Sequence, residues 1–288
     1  MISIVIPAYN EEHFLPRLLE SIEKQEFRDY EVIVADNHSK DRTAEIARQY
    51  GVRIVEGGLP AVARNRGAEA AKGKYLLFLD ADTVLPDGFL EKLFNKFEED
   101  YLDICMPVLK PIDSRKKIYK TLYDFSNAYF KLMEYIKPQG AGACIFVTKR
   151  MHRRIGGFNE TLRTSEDNDY INRASEMGRF KIYTDIYLYV SVRRLEMEGL
   201  KSYIQKVVRS SFAFFFTGTS SKKIEYEFGN FTKAIIEQST KPSKSIDKII
   251  VYKMLVRFNR LRHRLIKQLR SMGINDSVLR FGEKRKKD

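Results

Sequence analysis

The stretch YLLFLDAD, residues 75–82, decides how the rest of the chain is read. Tyr75 to Leu79 is apolar at every position, so a strand here must be covered on both faces. Two aspartates, Asp80 and Asp82, follow at once. Working back toward the N-terminus, residues 61–71 read as a helix, 52–55 as a strand, 41–50 as a helix and 32–35 as a strand. The chain opens with a β-branched run at residues 2–6, ended by Pro7, and then places Phe14, Leu15, Leu18, Leu19 and Ile22 at helical spacing. Toward the C-terminus, Phe89, Leu90, Leu93, Phe94 and Phe97 form another helical stripe, and residues 102–108 form another apolar segment. Apolar strands separated by helices predict an α/β fold, a mostly parallel sheet flanked by helices.

Sheets of this kind bind ligands beyond the carboxyl ends of their strands. That rule selects Pro7, Ala8, Tyr9 and Asn10 after the first strand, Asp36 and Asn37 after the second, and Asp80, Ala81 and Asp82 after the strand at 75–79. The second half continues with an aromatic-rich helix at 117–135, a strand at 143–148, a chain break at Gly156 and Gly157, and a helix at 167–177. Residues 180–189 read as a strand pair or as a strand and loop.

Each acidic position has a functional and a plain reading. Asp80 and Asp82 offer hard oxygen ligands of the kind that bind magnesium or manganese together with phosphate oxygens; they also suit the end of a strand as turn residues. Asp36 can accept hydrogens from a nucleotide or simply form a turn. Glu166 and Asp167 open the later helix. Thr164, three residues before Asp167, makes a capping-box pattern compatible with a second role for Asp167 as proton acceptor. Arg64 can meet phosphate, while the small residues around it, including Gly67, allow close helix–sheet packing.

No spaced-glycine dinucleotide fingerprint, P-loop lysine or nucleophile elbow is present, which argues against dehydrogenase, NTPase and serine-hydrolase classes. His13, His38, His152 and His263 are scattered, against a zinc cluster, and Cys105 and Cys144 read as buried thiols.

Taken in order, SIVIPAYNEE, EVIVADNHSKDRT, ARNRGAEAAKGKYLLFLDADTVLPDGF, IGGFNE and SEDNDY closely resemble the family 2 glycosyltransferases with the GT-A fold, over roughly residues 1–195. The resemblance implies an inverting transfer from a nucleotide-diphosphate sugar, UDP-sugar favoured over GDP-sugar, with a divalent cation, Mn2+ or Mg2+. It assigns Pro7, Ala8, Tyr9 and Glu11 to the nucleotide, Asp36 to the base, Asp80 and Asp82 to the donor and metal, with Asp82 the stronger ligand, and Asp167 to the general base. Gly142 and Glu166 fall on the acceptor side, and Arg193 and Arg194 in a basic segment near the diphosphate. The Gln-x-x-Arg-Trp pattern of processive members is missing, and the chain has no tryptophan. The runners-up are a metal-dependent nucleotidyltransferase and a noncatalytic nucleotide-sugar or membrane-binding module.

The 288 residues are 43% hydrophobic and carry a net charge of +13. Residues 241–288 hold 15 basic and 4 acidic residues, so most of that charge sits in this last segment. There Ile250, Met254, Phe258, Leu261, Leu265 and Leu269 form an apolar helical stripe beside Lys253, Arg257, Arg260, Arg264 and Lys267. This pattern suits an anionic membrane surface or packing against protein. The expected organisation is a catalytic domain at 1–198, a helical aromatic-rich extension at 199–240 and a basic amphipathic helical tail at 241–288. A sugar, glycan or lipid-linked acceptor is expected, with nucleic acid disfavoured. No apolar run reaches membrane-spanning length and no secretory leader opens the chain, so the expected setting is cytoplasmic, peripheral to the membrane if the tail binds it.

Overall fold

A computed structural model describes residues 1–112 and 117–199, together with Ser202 and Gln205. By its contacts the chain divides into two compact units, Met1–Thr240 and Lys241–Asp288, and every described residue belongs to the first. The expectations for the extension and the basic tail lie outside the described residues, apart from Gly199, Ser202 and Gln205.

The first half follows the expected alternation: β1 (Ile2–Ala8), α1 (Leu15–Glu23), β2 (Tyr30–Asp36), α2 (Thr43–Gln49), β3 (Arg53–Glu56), α3 (Pro60–Ala70) and β4 (Tyr75–Leu79). Then come β5 (Thr83–Val84), α4 (Phe89–Glu99), β6 (Ile104–Pro111), α5 (Lys117–Met133), β7 (Cys144–Thr148), α6 (Lys149–Arg154), α7 (Glu166–Met177), β8 (Phe180–Val190) and α8 (Arg193–Glu198). Among the described residues the eight strands form one sheet in the order β3-β2-β1-β4-β7-β6-β8-β5.

Parallel pairing joins β3 to β2, β2 to β1, β1 to β4 and β6 to β8; β7 runs antiparallel to both β4 and β6, and β5 antiparallel to β8. The insertion of β7 positions the site. Because it is antiparallel, its first residue, Cys144, pairs with Leu79 at the carboxyl end of β4. The chain entering β7 therefore runs beside Asp80, whose N–H donates to the Ala143 carbonyl at 3.2 Å.

The apolar strands serve two cores. Ile2, Ile4 and Ile6 of β1 and Leu77 and Leu79 of β4 face α1 and α4, while Val5, Leu76 and Phe78 face α3, α6 and α7. Each such side chain contributes about 1.5–3 kcal/mol when fully buried. Gly67 lets α3 lie close on β1, since an added Cβ there would run into the Val5 side chain.

Residues 180–190 form one long strand rather than a pair. Its register against β6 shifts between Pro107 and Val108, and this bulge turns Thr184 and Asp185 outward. Cys105 and Cys144 are buried and free, and burial pushes both thiols well above their ordinary pKa.

Candidate active site

The loop after β1 is stitched to the loop after β2 by backbone N–H groups and short polar side chains. Asn10 N–H donates to Ser39 Oγ (2.9 Å), Glu11 N–H to Thr43 Oγ1 (2.7 Å) and Glu12 N–H to Asp41 Oδ2 (3.1 Å), while Lys40 N–H donates to Asn10 Oδ1 (2.9 Å). Asn10 and His38 take the left-handed conformation, at φ 56° and 52°, which bends both loops back on themselves. Asp36, at the end of β2, accepts from Ser39 N–H and Oγ–H, which fixes the direction of its carboxylate at the rim. Pro7, Ala8, Tyr9 and Asp36 thus share one edge, as expected from their strand ends, with Pro7 beside Ala35 and Ala8 beside Asp36 in the ladder.

Glu11 has a partner the sequence did not reveal. Its two carboxylate oxygens accept from Arg193 Nη1 and Nη2, each at 2.7 Å, and Arg193 Nε lies 2.9 Å from Asp82 Oδ2. Arg193, the first residue of α8, is buried beneath the ring of Phe14, 4.4 Å from its centroid. Ser191 N–H donates to the Asp82 carbonyl (3.0 Å), tying the entry to α8 to the same strand end. Burial raises the Asp82 pKa against the pull of Arg193, while burial of Arg193 is outweighed by Asp82 and Glu11, which hold it firmly charged. Arg194 also favours the charged form of Asp82.

The facing wall is built by α7 and the chain before β7. Asp167 Oδ2 accepts from Gly142 N–H and Oδ1 from Asn168 N–H, both at 2.8 Å. Asn168 Oδ1 in turn accepts from Gly140 N–H (3.1 Å). The capping box is not formed: Ser165 is the N-cap, at φ 61° and without a side-chain cap, and the Asp167 carboxylate turns instead to Gly142. Burial, reinforced by Glu166 and opposed by Arg64 and the two N–H groups, pushes the Asp167 carboxyl up to about 7.

Arg64 of α3 joins the two walls. Its Nη2 donates to Asp80 Oδ1 (2.9 Å) and to the Gly142 carbonyl (3.4 Å), and its Nη1 to Glu166 Oε1 (3.0 Å). The next residue, Asn65, grips the IGGFNE turn: Oδ1 accepts from Phe158 N–H (2.8 Å), and Nδ2 donates to the Phe158 carbonyl (2.9 Å) and to Glu160 (2.8 Å). Gly156 and Gly157 make that turn at φ 74° and 71°, and the Phe158 ring stacks on Tyr170 of α7. From sequence Asn65 stands out only as a neighbour of Arg64, and Glu160 and Tyr170 only as members of IGGFNE and SEDNDY, with no role given to any of the three. A polar side chain within a helix of small residues was the only local signal for Asn65.

Asp80, Arg64, Gly142, Glu166 and Asp167 thus form one connected cluster, with Asp82, Arg193 and Glu11 forming a second at the same strand end. A carboxylate pair at a strand end, joined through Arg64 and Gly142 to a half-buried carboxylate on α7, can hold an anionic leaving group at one end and receive a proton at the other. The model of glycosyl transferase family 2 matches residues 3–156. The chain belongs to glycosyltransferase family 2.

It is 29% identical over 209 residues to the poly(ribitol-phosphate) beta-glucosyltransferase of Bacillus spizizenii, covering 67% of this chain and 32% of that one. It is 34% identical over 209 residues to EpsJ, an uncharacterized glycosyltransferase of Bacillus subtilis, covering 66% and 60%. The chain spans between about one third and two thirds of the length of such curated relatives. Among solved structures, Staphylococcus aureus TarS 1–349 in complex with UDP-GlcNAc superposes with a TM-score of 0.56 at 21% identity, covering 75% of this chain and 73% of that one. The mannosyltransferase PcManGT of Pyrobaculum calidifontis, in complex with GDP-Man and Mn2+, does so with a TM-score of 0.56 at 20% identity, covering 72% and 64%. These neighbours share the curled, helix-flanked GT-A sheet.

Proposed function

We propose that this member of family 2 is an inverting sugar transferase, using a nucleotide-diphosphate sugar as donor and Asp167 as the base that receives the acceptor proton. The observation that carries the reading is the Asp167 carboxylate. It is oriented by two N–H bonds, its pKa is lifted to about 7, and Gly142, which donates to it, accepts through its carbonyl from Arg64, the partner of Asp80. An ordinary aspartate, near 3.9, is a weak base that accepts its proton late; lifted toward neutrality, Asp167 accepts it as the bond forms. The hydroxyl attacks the anomeric carbon from the face opposite the nucleotide, in one displacement. Asp36 receives the base, and Pro7, Ala8 and Tyr9 line its edge. Arg194 is read toward the diphosphate end, while Arg193 is held by Glu11 and Asp82.

Among the described residues no three His, Cys, Asp or Glu side chains gather around one point as a protein-built metal cage. Ions of the magnesium class instead complete their shells from substrate phosphates and water around one or two carboxylates, and Asp82 with Asp80 supplies that donor set. Bound there, a divalent cation would offset the charge on the departing diphosphate.

UDP-sugar remains the favoured donor, supported by the UDP-GlcNAc complex of TarS, and the poly(ribitol-phosphate) relatives support an acceptor in cell-envelope or glycan biosynthesis. Among the described residues no helix is long and apolar enough to cross a membrane. The basic residues 241–288 are read as a surface for anionic lipid.

The test is a panel of UDP-glucose, UDP-GlcNAc and GDP-mannose with Mg2+ or Mn2+, following thermal stabilisation and nucleotide release together. Stabilisation and release with at least one donor is expected; neither with any would refute the reading. Truncation after Thr240 is expected to lower binding to anionic vesicles, and unchanged binding would reject the membrane role.

A further inference from the structure

Arg64 is only 3% exposed, yet its reach includes both walls of the cleft. Both terminal nitrogens are already engaged, Nη2 with Asp80 and the Gly142 carbonyl, Nη1 with Glu166. The guanidinium lies 5.3 Å from the Phe158 ring centroid, and Phe158 is held by Asn65 on one side and Tyr170 on the other. A Cβ on Gly142 would come 2.8 Å from Arg64 Nη2, so the chain before β7 presses against the fork. Contact with a phosphate would require the buried Arg64 guanidinium to give up charge-assisted bonds to two carboxylates, Glu166, 14% exposed, and Asp80, 35% exposed.

We infer that Arg64 is a positioning residue, a rigid strut from Asp80 on the donor rim to Glu166 on the acceptor wall that sets the span across which the hydroxyl attacks, with Glu166 as its anchor rather than a second base. This rests on the transfer reading above. The planar fork suits the task because one side chain meets two carboxylates in fixed directions; a lysine ammonium carries the charge without that geometry. Misplacing reacting groups by about 1 Å is enough to lower a rate about 100-fold. The strut also sets the surroundings of the base. Asp167 faces Glu166 on its own helix, Arg64 from α3, and the Gly142 and Asn168 N–H groups.

The experiment compares wild type, Arg64→Lys and Glu166→Gln in full-length protein. It measures UDP affinity by calorimetry, release of nucleotide from the active donor of the panel across pH, and melting temperature. Both variants are expected to bind UDP within about threefold of wild type and to lose about 10- to 100-fold in kcat. In Glu166→Gln the acidic limb of the rate profile is expected to move to lower pH, because the neighbouring negative charge is gone. A merely structural defect would lower the melting temperature without moving that limb. Loss of UDP affinity by more than about tenfold in Arg64→Lys at unchanged kcat would make Arg64 a donor ligand and overturn the proposal. So would Glu166→Gln with the wild-type kcat and limb. If Arg64→Lys does not fold, Glu166→Gln, which preserves side-chain shape, decides alone. A wild type that turns over no sugar nucleotide refutes the transfer reading itself before any variant is compared.

Discussion

Replacing Asp167 with asparagine separates its chemistry from its place in the fold. The amide has the shape of the carboxylate, and its oxygen can still accept the Gly142 N–H that Oδ2 now accepts at 2.8 Å. What disappears is the proton acceptor, together with the bond that Oδ1 accepts from Asn168 N–H. General-base assistance is worth about 100- to 10,000-fold in rate, so kcat is expected to fall by that factor while donor affinity stays within about threefold. Stability is expected to move the other way. Burial and Glu166 lift the carboxyl from 3.8 to about 7. Between those values the folded chain holds a proton on Asp167 that the unfolded chain has released, so this group's contribution to stability falls as pH rises from about 4 to about 7 and levels off above. The gap corresponds to at most about 4 kcal/mol, and water reaching the open face of the side chain lessens it. Asparagine has no proton to release. The variant's advantage in urea unfolding is therefore expected to grow from about pH 4 to about pH 7 and then stay constant, with other groups cancelling in the difference. Nucleotide release under the same buffers supplies the rate. Wild-type turnover in the variant would remove Asp167 from proton transfer, and a stability difference flat across this range would show that its carboxyl is not lifted.

Asp82→Asn is expected to lower Mg2+- or Mn2+-supported donor turnover about 100-fold or more, read as activity against metal concentration. Arg193→Gln strands Glu11 and Asp82 as buried carboxylates and is expected to cost about 3–5 kcal/mol in urea unfolding, part of it recovered by adding Glu11→Gln. Gly142→Ala places a methyl 2.8 Å from Arg64 Nη2 and 3.4 Å from Asp167. The added methyl is expected to lower kcat about tenfold or more with a smaller effect on UDP affinity, measured by steady-state kinetics and calorimetry.

The first half of the fold was legible because its strands are covered on both faces and its helices carry apolar stripes. Tyr75 to Leu79 is apolar throughout, and β4 falls on those residues. An apolar run says nothing about direction, however, and the antiparallel course of β7 comes from tertiary pairing with β4 and β6. The two residues of β5 and the six of α6, with the sequence KRMHRR, are too short to show a period. In the site, strand ends located the acids, because polar groups at the rim of a covered sheet have few other places to be. Their partners were hidden for a different reason: compensation of a buried charge is settled between segments distant in sequence. Glu11 finds its cation at Arg193, 182 positions away, and Asp80 shares Arg64 with Glu166. An unpaired carboxylate beneath such a rim costs more than an imperfect ligand contact gains. Where acids cluster at strand ends, an arginine set among small or apolar residues is therefore better assigned first to those acids and only then to phosphate. By that order of assignment Arg64, flanked by Ala63 and Asn65 on a helix pressed against β1, belongs to the protein's own carboxylates before it belongs to the donor.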